Sequence, residues 1–351
     1  MNPVSTLKYF YERYERIMIP VTLIAGTALD FVTFRTISIE SSFILLAVYI
    51  VAAGVMIAII NANTRKDFWP RLKILAPVFN QFLIGALLSG SLVFYWFSGA
   101  LSVSWPIIIF IAVLMASNEV FRRSYLKAEV QISVFFFIIF SVLSLALPYG
   151  FNSLSSWLFV LSGVTSLLII FHYVLLLAKS SEIVNIVKHR IILIVSLLFI
   201  FMNGLYFGNI IPPIPLALRE AGIYHSVTKF GSSYLLEGET ESWLDQFLPG
   251  QNVHVSIGET LYAYTAIFAP TDLNTSITHD WQYFDEQTGD WVSQGKYSFN
   301  ISGGRQEGYR GYSQKSAFKT GKWQVLVKTP RGQVLGRIPF TIIASPNLTN
   351  Q

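Results

Sequence analysis

The densest group of chemically capable side chains lies in Gly303-Gly-Arg305 and Gly308-Tyr-Arg-Gly-Tyr312, which bring Arg305, Tyr309, Arg310 and Tyr312 close together in the chain. Arginine offers a planar fork of donors to a carboxylate or phosphate. A tyrosine ring can stack on a sugar or hold a guanidinium, and glycine permits close backbone approach. The combination predicts an edge that binds an anionic or saccharide ligand, such as envelope glycan or a lipid headgroup. The competing reading is a bulged hairpin whose arginines stack on the tyrosines and pair with Glu307 or Asp280.

Three histidines, His225, His254 and His279, would form a metal site if the fold gathered them, but they lack ligand spacing. His279 shares a strand face with Trp281, which favours a buried, hydrogen-bonded imidazole, and no metal or cofactor is expected. No nucleophile elbow, HExxH or phosphate loop occurs. There is no cysteine to supply a thiol. Asp285, Glu286 and Asp290 surround a turn. No residue is assigned a catalytic role, and the reading leans away from an enzyme.

A second set of polar candidates lies within apolar stretches, where an ionisable group is a functional candidate by default. Asp30 is near a predicted outer end, with Arg35 as a partner. Glu119 falls at an inner end. His172 would remain neutral and bond to a neighbouring helix. Asn80, Gln81 and Asn203 suit interhelical hydrogen bonds. So few ionisable groups argue against an ion-coupled pump and leave a carrier of apolar or lipid substrates as the alternative.

These residues must be positioned by two kinds of element. Hydrophobic residues form 53% of the 351-residue chain and charged residues 13%, against about 25% charged in soluble domains. Stretches of about 20 apolar residues, enough to cross the hydrocarbon layer, predict seven transmembrane helices near Ile17–Phe34, Ser42–Ile60, Ile74–Phe97, Ala100–Ser117, Val130–Pro148, Leu154–Leu177 and Ile191–Ile211. Basic residues alternate across the connections. Lys8, Arg13 and Arg16, then Arg65, Lys66, Arg71 and Lys73, then Arg122, Arg123 and Lys127, then Lys179, Lys188 and Arg190 mark one side. Arg35 alone falls in the connections of the other. The positive-inside rule then predicts a cytoplasmic N-terminus and an outer C-terminus. Tyr95, Trp96, Trp105, Tyr149 and Trp157 fall at outer ends, as an aromatic belt would. Residues 1–212 hold 14 Lys/Arg against 8 Asp/Glu, and the rest 11 against 12. The basic excess therefore belongs to the helices' connections and not to a nucleic-acid footprint.

Pro212, Pro213 and Pro215 end the last span and predict a stiff exit segment over 213–220. From 221 to 345 the periodicity becomes two. Trp323, Val325 and Val327 share a face, as do Ile338, Phe340 and Ile342, and Tyr297, Phe299 and Ile301. Turns are signalled at Glu286–Gly289, Gly303-Gly304, Thr320-Gly321 and Thr329–Gly332. Ser242–Phe247 reads as a short helix and 346–351 as a tail. The pattern predicts an antiparallel, immunoglobulin-like β-sandwich.

Ile211-Pro-Pro-Ile-Pro-Leu216, Ala221-Gly-Ile-Tyr-His-Ser226, Phe268-Ala-Pro-Thr271, His279-Asp-Trp-Gln282, Gly303-Gly-Arg305, Gly308-Tyr-Arg-Gly-Tyr312 and Gly321-Lys-Trp-Gln-Val325 resemble uncharacterised bacterial inner-membrane proteins with a C-terminal domain of unknown function. The resemblance is densest over 211–343. It implies a multi-pass protein of the bacterial cytoplasmic membrane with a periplasmic C-terminal domain, and it brings no activity. The expectation is a non-enzymatic envelope protein whose outer sandwich binds a partner protein or envelope component. The lipid bilayer surrounds its helices, and it has no nucleic-acid partner.

Overall fold

The computed structural model describes residues 28, 32–33, 39–62, 70–98, 101–121, 124–212, 216–231, 233–239, 251–256, 258–270, 273–304 and 308–344. The expected first span, apart from Ala28, Val32 and Thr33, and the expected helix at Ser242–Phe247 lie outside the described residues. The chain divides into two compact units, one holding the helices and the other the strands.

Among the described residues, six helices are long and apolar enough to cross a membrane. They are α1 (Ile39–Asn61), α2 (Pro70–Ser98), α3 (Leu101–Val120), α4 (Ala128–Gly150), α5 (Ser156–Ser180) and α6 (Glu182–Phe207). A continuous helix satisfies its backbone polar groups internally, as hydrocarbon requires. The expected second to sixth spans each fall on one of α1 to α5, with edges that agree to within four residues. The expected seventh, Ile191–Ile211, is displaced. The helix begins at Glu182, because its polar first turns with Lys188, His189 and Arg190 hide it from a hydropathy reading. It stops at Phe207, and Asn209 then takes the left-handed conformation (φ 58°) that often follows a helix C-terminus. The basic loop expected between the last two spans is a single residue. Ser181 is extended, donates its N–H to Leu177 O at 2.8 Å, and caps α6 by accepting the Val184 N–H at 3.3 Å. Lys179, Lys188 and Arg190 therefore ride on helix ends.

α4 is the most enclosed helix, with Phe136, Phe137 and Phe140 fully buried. Polar side chains link neighbours where small residues permit approach. Asn61 Nδ2 donates to Gln131 Oε1 at 2.9 Å, and Tyr173 OH to Gly54 O at 2.6 Å. Tyr95 OH meets Ser144 Oγ at 3.0 Å. Gln81 Nε2 donates to Asn118 O and Glu119 Oε2, both at 3.2 Å, and Asn118 returns a bond to Gln81 O at 3.0 Å.

The second unit contains β1 (Ala217–Tyr224), β2 (Ser226–Phe230), β3 (Ser233–Glu237), β4 (Gln251–Val255), β5 (Thr260–Phe268), β6 (Asn274–Asp285), β7 (Asp290–Ser302), β8 (Tyr309–Ser316), β9 (Gly321–Lys328) and β10 (Val334–Ala344). They form a three-stranded sheet in the order β1-β5-β8, a five-stranded sheet in the order β4-β10-β9-β6-β7, and the β2–β3 hairpin. β4 runs parallel to β10; every other pairing is antiparallel. One apolar core draws Ile223, Leu261 and Ile267 from the smaller sheet and Trp281, Trp323 and Phe340 from the larger, a sandwich-like arrangement. The expected alternation holds in β10, where Ile338, Phe340 and Ile342 are buried. In β9 both faces are buried, because β10 and β6 flank it and Gln324 Nε2 donates to Gln282 Oε1 at 2.7 Å.

Candidate functional site

Antiparallel register aligns rows of residues across the outward face of the three-stranded sheet, because directly paired residues point the same way. One row is Glu220, Ala266 and Arg310; the next is Gly222, Tyr264 and Tyr312; the third is Tyr224, Tyr262 and Gln314. Tyr234 of the β2–β3 hairpin joins this face. Its ring centroid lies 5.6 Å from that of Tyr264 and 6.3 Å from that of Tyr312. Tyr262 meets Tyr312 at 5.9 Å, and Tyr224 meets Tyr264 edge-on at 6.1 Å. Tyr312 is the most open of the five, at 43% exposure, and Tyr264 the least, at 2%. Burial pushes the Tyr264 phenol up to about 12, with Glu220 adding to the rise and Arg310 opposing it. Its hydroxyl is therefore a neutral donor at neutral pH. Tyr224, Tyr262 and Tyr312, each partly open and carrying a hydroxyl rim, form a surface suited to the C–H faces and hydroxyls of a sugar; Tyr264 is buried among them, and Tyr234 packs on Tyr264 and Tyr312 from the hairpin.

The expected Arg/Tyr patch is redistributed by strand geometry. Arg305 lies outside the described residues. Tyr309 packs against the core, whereas Arg310 and Tyr312 stand on the outward tyrosine face. The glycines serve the fold. A Cβ on Gly303 would come within 1.6 Å of Pro270 O, and one on Gly311 within 2.3 Å of the Phe299 ring. The close approach they permit is to the chain itself. Asp280 has Lys328 as its partner: the Nζ donates to Oδ2 at 2.7 Å, while Ser293 and Gln282 add bonds at 2.6 and 2.8 Å. Burial works to raise the Asp280 pKa, but these donors, led by Lys328, hold it below the usual carboxylate range.

The histidines divide. His279 is fully buried between Thr265 Oγ1, 3.0 Å from Nε2, and Ser313 Oγ, 2.9 Å from Nδ1; Ser313 Oγ also accepts from Trp281 Nε1 at 2.9 Å. This matches the hydrogen-bonded imidazole expected from its strand face. Burial lowers its pKa to about 4. His225 and His254 converge instead on two carboxylates. His225 Nδ1 lies 2.5 Å from Glu259 Oε1, and its Nε2 lies 3.4 Å from Glu239 Oε1. Glu239 Oε1 also accepts the His254 backbone N–H at 2.7 Å and faces His254 Nδ1 at 3.2 Å. Among the described residues no group of three or more His, Cys, Asp or Glu is arranged to hold a metal ion. Glu239, Glu259 and the tyrosines of β1, β3 and β5 were not singled out by sequence reasoning. The alternation in Leu261-Tyr-Ala-Tyr264 was the available signal for Tyr262 and Tyr264.

In the helical unit, Asp30 lies outside the described residues. Asn80 is buried, and its Oδ1 meets no donor among the described residues. Two side chains expected to bridge helices bond within their own: His172 Nδ1 to Leu168 O at 2.8 Å, and Asn203 Nδ2 to Phe199 O at 2.8 Å. His172 is exposed. A nearly wholly apolar groove of about 560 Å³ runs between α1, α4 and α5, lined by Phe43, Gly54, Phe135, Ile139 and Tyr173 among others. Neither Asn80 nor His172 lines it.

A family model described as "Protein of unknown function (DUF2914)" matches residues 274–342. The match runs from the first residue of β6 into β10 and agrees with an uncharacterised C-terminal domain. It includes Arg310 and Tyr312 but none of the other four tyrosines of the face. No curated protein matches the chain. Among solved structures, Pseudomonas fluorescens alkylpurine DNA glycosylase AlkC bound to DNA containing an abasic site analog is similar over 80% of this chain and 84% of that chain, at 10% identity and a TM-score of 0.20. A likeness that weak supports no statement about this chain's fold or function.

Proposed function

We propose that this chain is a non-enzymatic binding protein of the bacterial cytoplasmic membrane, in which seven spans, N-terminus inside, carry an extracytoplasmic β-domain that binds an envelope saccharide. The observation that carries the reading is the gathering of Tyr224, Tyr262, Tyr264 and Tyr312 on one sheet face beside Arg310, with Tyr234 of the hairpin packed against them. Such rings combine apolar area with polar rims, which suits sugars better than an apolar protein surface. The sheet orders and the core Trp281 support an immunoglobulin-like connectivity for the domain, with β5, β6, β8, β9 and β10 in the roles of strands B, C, E, F and G.

The test is retention of the purified full chain, in lipid nanodiscs, on immobilised envelope glycans. Wild type should be retained, and Tyr312→Ala and Tyr262→Ala should weaken retention at least tenfold. Equal retention of these variants, or none by wild type where a control lectin binds, would overturn the saccharide reading. Capture of a protein instead would favour the partner-protein form. The groove between α1, α4 and α5 favours a second reading, a lipid-handling bundle with the sandwich as accessory. A stoichiometric lipid that co-purifies with wild type and is lost in Gly54→Phe would support it.

A further inference from the structure

The β2–β3 hairpin lies over the tyrosine face. It begins at His225, whose N–H donates to Glu237 O at 2.8 Å and closes the hairpin base. Its inward residue Tyr234 packs on Tyr264 and Tyr312. The following Gly238 rests on the Tyr224 ring, where an added Cβ would stand 3.1 Å from Cδ1. Beneath this cover, and beside Tyr224 and Tyr312 of its own sheet, Tyr264 is almost completely hidden. The opposite side of the hairpin is open: Phe230 is 80% exposed and Leu235 60%.

The hairpin base is fastened by the histidine–carboxylate cluster. Glu239 ends the hairpin, His254 belongs to β4 in the five-stranded sheet, and Glu259 immediately precedes β5 in the three-stranded sheet. The cluster thus ties the hairpin to both sheets at one corner. Each ring nitrogen of His225 faces a carboxylate oxygen. A neutral imidazole has one donor and one acceptor nitrogen, so only the imidazolium can donate to both. Among the described residues, the charged groups facing His225 are Glu259 from the β4–β5 turn and Glu239, two residues beyond β3; His254 faces Glu239 alone. Glu259 is held in place by the Ser256 N–H, which donates to Oε2 at 2.7 Å. Burial tends to raise both glutamate pKa values. Hydrogen bonds from His254 and His225 to Glu239, and from Ser256 and His225 to Glu259, lower them. Both carboxylates thus remain charged across the range in which histidines exchange protons, between about pH 5 and 8.

We propose that the β2–β3 hairpin is an acid-closed cover on the tyrosine face, latched when His225 is protonated between Glu259 and Glu239. Loss of that proton turns one ring nitrogen into an acceptor against a carboxylate oxygen, loosens Glu239, and lets the hairpin lift from Tyr264 and Tyr312. The regulatory sense of this movement rests on the reading of that face as the binding surface.

The chain contains no cysteine, so a labelled pair can be introduced directly. Phe230→Cys at the hairpin and Asn300→Cys on β7 are spin-labelled in the full chain in nanodiscs, and their separation is measured at about pH 5.5 and about pH 8. One narrow distance is expected at the lower pH and a second, displaced population at the higher. His225→Gln should show the displaced population at both pH values, and Glu259→Gln should do the same, which guards against misfolding of a single variant. An unchanged distribution in wild type, or pH dependence that survives in His225→Gln, would overturn the latch. No saccharide is present in the measurement, so its outcome is separate from the glycan retention test.

Discussion

Acid should weaken the β-unit through His279 before its carboxylates titrate. The imidazole is fully buried, and burial lowers its pKa from 6.5 to about 4. In the unfolded chain the same group takes its proton near 6.5. Between these values the unfolded state therefore binds more protons than the folded one, so stability rises with pH. The contribution is fully present above about pH 6.5 and is lost as pH falls towards 4. At about 1.4 kcal/mol per pKa unit, the shift corresponds to roughly 3 kcal/mol. Glu239, Glu259 and Asp280, all with lowered folded values, contribute stability that is present above their unfolded pKa and lost only at lower pH. The assay is chemical denaturation of the full chain in detergent, followed by protection of β9 and β10 amides at a series of pH values. His279→Gln keeps polar atoms near Thr265 and Ser313 but cannot titrate. Its stability at pH 7 should fall by about 1–2 kcal/mol, and its pH slope between about 6.5 and 4.5 should drop by about one proton relative to wild type. An equal slope in the two proteins would refute the reasoning.

Gly303→Ala should destabilise the β-unit by about 1–3 kcal/mol or more, because Pro270 O occupies the space of its Cβ; thermal unfolding of the two proteins compares them. Lys328→Met should cost about 3–5 kcal/mol by leaving Asp280 buried without its cation. The double variant with Asp280→Asn should recover part of that loss in the same denaturation assay. Tyr173→Phe removes the bond to Gly54 O and should lower bundle stability by about 0.6 kcal/mol, read as a small downward shift of thermal inactivation in detergent. A topology test is independent of these: alkaline phosphatase fused after Gln351 should be active, as an outer C-terminus requires, and an inactive but well-expressed fusion would overturn the proposed orientation.

The helices were legible because hydrocarbon imposes one rule on about 20 consecutive residues, and no tertiary detail alters it. The rule fails where a helix outlasts the apolar layer, as at Glu182–Arg190. Strand faces were legible for the core because burial selects for apolar residues at every second position. The His225 cluster was not, since Glu259 is 34 residues from His225 and Glu239 is 15 from His254. Their meeting depends on how three sheets are brought to one corner, which local pattern does not encode.

The Arg/Tyr patch marks the boundary between these cases. Density in sequence suggested that Tyr309, Arg310 and Tyr312 act together, yet a strand alternates sides at each step. Arg310 and Tyr312, two residues apart, share the outward face. Tyr309, three residues from Tyr312, must oppose it and joins the core. The same parity places Tyr262 with Tyr264, and pairing then sets Tyr264 beside Tyr312. In a β-domain, spacing by two is therefore a stronger sign of a shared surface than simple proximity, and glycines between such residues are as readily consumed by the fold as by a ligand.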